Sequence, residues 1–169
     1  MEMGETFSTK EEQQIYLGAS IASGCRPCTK YHFKKSSEAG LTDIEIEKAI
    51  AFVISIRDNA TRSMESFAQN QNKGEIRKEV MLESLNRSNI LVGIAATYSA
   101  NFPLGLEAYL SFARNNGLSS KKCNEVIALA KSIICKARAH TDMVSDRMGI
   151  VQQDEYRAEP DCCNNGNCK

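Results

Sequence analysis

Apolar residues recur along this chain at the three-to-four-residue spacing of amphipathic helices, and no strand-like alternation bounded by turns is sustained. The pattern predicts helices at roughly 8–23, 26–39, 43–70, 75–87, 88–100, 103–116, 120–137 and 139–153. That is an all-α chain of about seven to eight helices. "LTDIEIEKAIAFVISI" opens with Thr42 as an N-cap and Glu45 three positions on, the spacing of a capping box. Gly40, just before it, suits the left-handed residue that ends the preceding helix.

The pattern also repeats. "LGASIASGCRPCTKYHFKKSSEAGLTDIEIEKAIAFV" lies over "VGIAATYSANFPLGLEAYLSFARNNGLSSKKCNEVIALA", so that Gly18 meets Gly93, Pro27 meets Pro103 and Gly40 meets Gly117, at offsets of 75 to 77. Chance similarity between amphipathic helices is the alternative, and matched glycines and prolines weigh against it. The reading is a single helical domain over 11–153, built from two repeats at about 11–72 and 88–150. An N-terminal extension (1–10) precedes it and a flexible Cys-rich tail (154–169) follows.

Twenty-one basic residues balance twenty-one acidic ones. Lys34-Lys35 and Lys121-Lys122 are isolated pairs, so the chain lacks the basic face of a nucleic-acid binder. Met1 to Gln14 is polar and lacks the order of a signal peptide. The longest mostly apolar run, Ala49 to Ile56, falls far short of the ~20 residues a membrane span needs. The expected location is cytoplasmic, where seven cysteines are more readily reduced, reactive or metal-binding than a disulfide framework.

Against that background "SGCRPCTKYHF", residues 23–33, carries the candidate chemistry. Pro27 belongs in the first turn of a helix. Cys25 and Cys28 then lie one turn apart on one face, close enough for a disulfide and near the positive end of the helix dipole, which favours thiolate. Arg26 either adds positive potential or points to solvent. His32, four residues after Cys28, shares its face and is placed to move a proton. The spacing nominates Cys28 as the attacking sulfur and Cys25 as its resolving partner. In the second repeat the corresponding positions are roughly Asn101, Leu104 and Ala108, so packing alone does not require a dithiol. Two other readings stay open. One is a zinc site, for which only three local ligands exist where a closed structural site wants four. The other is two small residues on a buried helix.

With Cys25-x-x-Cys28-x-x-x-His32 followed by "EAGLTDIEIEKAI", the chain resembles the carboxymuconolactone decarboxylase superfamily, and within it the alkylhydroperoxidase D-like proteins, over roughly residues 11–150. The resemblance implies an all-α fold, commonly assembled as a homo-oligomer (trimer or hexamer). It also implies a dithiol that reduces hydroperoxides or disulfides, with electrons from a lipoyl or thioredoxin-like donor. By the family's pattern Cys28 is peroxidatic, Cys25 resolving and His32 part of a proton relay. That relay usually begins with a glutamate twelve residues before the first cysteine, and that position here is Gln13. Glutamine can hydrogen-bond an imidazole but cannot take its proton. The neighbouring Glu12 points about 100° away around the helix. A weak peroxidase or a disulfide reductase is therefore as consistent with the residues as an efficient scavenger.

Of the remaining cysteines, Cys135 in "SIICKA" reads as a small buried residue, and Cys123, after two lysines, as a more exposed one. Cys162, Cys163 and Cys168 follow Pro160 in a stretch of Asp, Asn and Gly. They are an alternative set of soft metal ligands, an electron-relay arm, or incidental. The alternative function is a metal-binding or metal-sensing protein using the dithiol, His32 and these tail cysteines. No Gly-rich phosphate loop or P-loop lysine is present in the sequence, so no organic cofactor is expected.

Overall fold

The computed structural model describes residues 6–70 and 85–149 of the 169-residue chain. Six α-helices and no strand occur among them: α1 (Thr9–Ala22), α2 (Arg26–Glu38), α3 (Asp43–Gln69), α4 (Arg87–Ser99), α5 (Pro103–Asn115) and α6 (Ser120–Arg147). The expected helix at 75–87 lies outside the described residues except for its last positions. The helices expected at 120–137 and 139–153 are one continuous α6 up to Arg147. Between residues 131 and 147 there is no Gly or Pro to stop it, and Ala137 and Ala139 favour its continuation. It ends where Gly149 takes a positive φ of 63°.

Capping explains the starts. Ser8 and Glu11 form a capping box on α1, and Thr42 and Glu45 form the one expected on α3. Asn86 and Ser119 cap α4 and α6.

The centre of the fold is the pair α1 and α4, which pack on each other and between them touch the other four helices. The second half of α1, from Ile15, and α4 from Ile90 to Thr97 are buried nearly all round, with Ile15, Leu17, Leu91 and Ile94 at 0–1 % exposure. This is the expected state of helix segments apolar on every face, as LGASIA and ILVGIAAT are. Close approach relies on two glycines. A Cβ on Gly18 would meet Val92, and one on Gly93 would run into the ring of Tyr109.

The same local structure recurs at a constant spacing of 77 residues. Gly24 and Asn101 both take positive φ, 74° and 52°. Cys25 N–H bonds to Ser20 O, and Phe102 N–H to Thr97 O. Gly40 and Gly117, then the caps Thr42 and Ser119, follow in the same register. This register pairs Cys25 with Phe102, Cys28 with Gly105 and His32 with Tyr109, not with Asn101, Leu104 and Ala108. In the second copy the Phe102 ring lies against Gly105, in contact so close that no Cβ fits there. In the first copy the corresponding pair is Cys25 and Cys28. The dithiol thus stands where the other repeat has an aromatic packed over a glycine.

Cys123 is buried at 4 % exposure, whereas Cys135 is half-buried, the reverse of the expected order. Burial pushes the Cys123 thiol pKa up, against the opposing pull of Arg114. Among the described residues no helix is long and apolar enough to cross a membrane.

Candidate functional site

Gly24 ends the α1 connection with positive φ, and the chain turns directly into α2 with Cys25 as its N-cap and Pro27 in the first turn. Proline costs nothing there because first-turn N–H groups have no intrahelical partner. Cys25 and Cys28 are joined as a disulfide with Cα atoms 5.3 Å apart. The Cys28 N–H donates to Cys25 Sγ at 3.2 Å. A sulfur therefore occupies the place usually taken by a serine or aspartate oxygen at a helix start. That donor and the helix dipole both favour negative charge on Cys25 when the bond is reduced. Both cysteines are buried, at 6 % and 5 % exposure.

His32 follows one turn after Cys28 and is also buried. Its ring stacks on Tyr16 of α1 with centroids 4.8 Å apart and meets Tyr31 edge-on at 5.0 Å. Its Nδ1–H donates to Gln13 Oε1 at 3.2 Å, which fixes the tautomer and leaves Nε2 as the acceptor. Burial, reinforced by the positive charge of Lys136 on α6, lowers the His32 pKa to about 4. The imidazole is neutral at physiological pH and only weakly basic. Glu12 does not take over from Gln13: its charge acts on Tyr16, whose pKa is raised first by burial and then by Glu12.

Arg26 faces away from the core. With Ile21, Gly24, Lys30, Phe33 and Arg57 it lines an open groove of about 490 Å³ beside the disulfide-bearing turn. Arg57 Nη1 donates to Ile21 O at 2.8 Å, tying α3 to the end of α1 next to that turn.

The structure adds a residue that spacing did not indicate. His140, on α6, offers a ring nitrogen that lies with the two cysteine sulfurs in a group whose atoms are all within 4.8 Å of one another. His32 is not part of that group. The sequence held one usable signal: the chain has only two histidines, so the second was worth placing. Lys136, one turn before His140, is the same helix's contribution to the His32 environment. Cys162, Cys163 and Cys168 lie outside the described residues.

The arrangement supports two kinds of chemistry: thiol–disulfide exchange at a buried pair with an imidazole one turn away, and ligation of a soft metal once the pair is reduced. No curated protein and no solved structure matches the chain. A family model does match residues 1–69, and its description is the carboxymuconolactone decarboxylase family. That segment contains α1, α2 and α3 and the whole Gln13, Cys25, Cys28 and His32 set. Over residues 1–69, the segment that carries the dithiol and His32, the chain is thus similar to the carboxymuconolactone decarboxylase family.

Proposed function

We propose that the protein is a thiol–disulfide oxidoreductase that reduces hydroperoxides or disulfides through the Cys25–Cys28 pair. The observation that carries this reading is the disulfide itself, set at the first turn of α2 with Cys28 N–H donating to Cys25 Sγ.

In the peroxide reaction the Cys28 thiolate attacks the distal oxygen of the hydroperoxide. Its O–O bond breaks, Cys28 becomes a sulfenic acid, and the alkoxide takes a proton to leave as an alcohol. In this reading His32, one turn after Cys28 on α2, carries the Cys28 proton to that leaving oxygen through Nε2. Cys25, held as thiolate by the helix start, attacks the Cys28 sulfur. The S–O bond breaks, water leaves after protonation, and the disulfide forms. A dithiol donor, a lipoyl group or a thioredoxin-like protein, returns two electrons and two protons by exchange. Attack at Cys28 Sγ expels Cys25 as the better-stabilised leaving thiolate.

Homo-oligomeric assembly as a trimer or hexamer belongs to the same proposal. Exposed Ile44, Ile54, Met64 and Phe67 on α3, with Met143, Val144 and Met148 at the end of α6, support it. A cytoplasmic location, where such donors keep a dithiol reduced, is a further part of the proposal.

The test is steady-state consumption of an alkyl hydroperoxide by the full-length protein with dihydrolipoamide or thioredoxin as donor. Donor-dependent turnover that Cys28→Ser abolishes supports the reading. Turnover unchanged in Cys28→Ser contradicts it.

A further inference from the structure

Cys25, Cys28 and His140 converge from two different helices, and their three ligand atoms lie within 4.8 Å of one another. Nothing in the oxidoreductase cycle above uses His140. We propose that the reduced dithiol and His140 form a three-ligand site for Zn²⁺, so that the pair exists either as a disulfide or as a zinc thiolate.

The donor set is the argument. Two thiolates and one imidazole are borderline-soft ligands matched to Zn²⁺, and Cys₂His with a fourth, open position is an established zinc arrangement. Reduction of the disulfide by a dithiol donor adds two electrons and two protons and lets the sulfurs separate. Zinc binding then displaces both thiol protons. The two thiolate charges neutralise the ion, and the start of α2 already stabilises one of them through the Cys28 N–H. The sulfurs are buried, so once deprotonated they need a cation or hydrogen bonds. His140 lies on α6, outside the buried core.

His32 is the obvious third ligand by sequence, and the geometry assigns that role to His140 instead. A ring nitrogen of His140 lies with the two sulfurs, whereas His32 is not in that group and its ring is held by Gln13, Tyr16 and Tyr31. The site also needs no tail cysteine. Zinc bound there would withhold both sulfurs from peroxide, so the same three residues would set when the dithiol is available.

The experiment uses the full chain with Cys162, Cys163 and Cys168 changed to serine, so that tail thiols do not compete. Zn²⁺ is titrated against a chromophoric chelator, with the protein reduced and, separately, as the disulfide. Co²⁺ replaces Zn²⁺ in a parallel sample to report thiolate ligation by charge-transfer absorption. The expected result is one equivalent bound by the reduced protein and none by the disulfide form. His140→Ala and His140→Gln should each weaken binding by ~10–100-fold or more with an unchanged helical circular-dichroism spectrum. Zinc should also slow oxidation of the dithiol by peroxide. Equal binding by reduced and oxidised protein, or undiminished affinity in both His140 variants, overturns the assignment. Zinc binding without peroxide-driven disulfide formation overturns only the oxidoreductase reading. Disulfide formation without zinc binding overturns only this one.

Discussion

Gln13 on α1 and His32 on α2 are joined by a hydrogen bond of 3.2 Å, the carbonyl oxygen of the amide accepting from Nδ1. The bond orients the imidazole but gives it no charge partner, and burial with Lys136 nearby leaves its pKa at about 4. A base that weak takes a thiol proton uphill. Gln13→Glu places a carboxylate at the same distance, raises the His32 pKa and supplies the missing acceptor. The expected outcome is hydroperoxide turnover faster by at least ~10-fold, within the range a general base contributes. An NMR titration of the imidazole, showing its pKa rise, confirms that the carboxylate acts on His32. A raised pKa without faster turnover would remove His32 from the proton path.

The same low pKa makes stability pH-dependent in a defined window. The folded value is about 4, below the ordinary 6.5, so folding favours the neutral ring. Between those values the unfolded chain binds more protons than the native one. The contribution is therefore fully present above pH 6.5 and lost as pH falls towards 4. Its size is on the order of 3 kcal/mol. Urea unfolding of the reduced protein and of His32→Asn across that window should show a steeper decline in the parent. Parallel curves would mean that the ring is protonated without strain in the fold.

Ser36 offers a stability test in the same helix. One turn beyond His32, it is fully buried, and its Oγ has no hydrogen-bond partner among the described residues. The residue 77 positions later is Ala113, also at 0 % exposure. An orphan buried hydroxyl costs about 1–3 kcal/mol. Ser36→Ala should raise the midpoint of urea unfolding by an amount equal to about 1 kcal/mol. A fall would show that the hydroxyl is satisfied by a partner such as ordered solvent.

Local signals carried most of the helix pattern among the described residues and the placement of the dithiol. The Thr42 and Glu45 capping box, Gly40 before it and Pro27 in a first turn are encoded within a few residues, and each appears where the spacing put it. The spacing of Cys25 and Cys28 likewise suffices to place them on one helix turn. The repeat register was harder to read. Pro27 is the second residue of α2 while Pro103 is the first of α5, because either first-turn position tolerates proline. Gly18 and Gly93 are not equivalent in the 77-residue register. They face different neighbours, Val92 and Tyr109, each needing a gap of its own. The continuity of α6 past residue 138 was obscured by polar residues on its exposed end. His140 could not be placed by any local spacing, since it reaches the dithiol only through the packing of α6 against α2.

The central claim is that Cys28 attacks and Cys25 resolves, and a thiol map tests it most directly. Fully reduced full-length protein is exposed briefly to limiting alkyl hydroperoxide and quenched with an alkylating reagent. Mass spectrometry of the digest then reads the state of each cysteine. The prediction is a Cys25–Cys28 disulfide formed within seconds, a Cys28 sulfenic acid trapped in Cys25→Ser, and no reaction at this helix in Cys28→Ser. If Cys25 and Cys28 stay reduced while Cys162, Cys163 and Cys168 oxidise, the first turn of α2 is not the reactive centre and the account is contradicted.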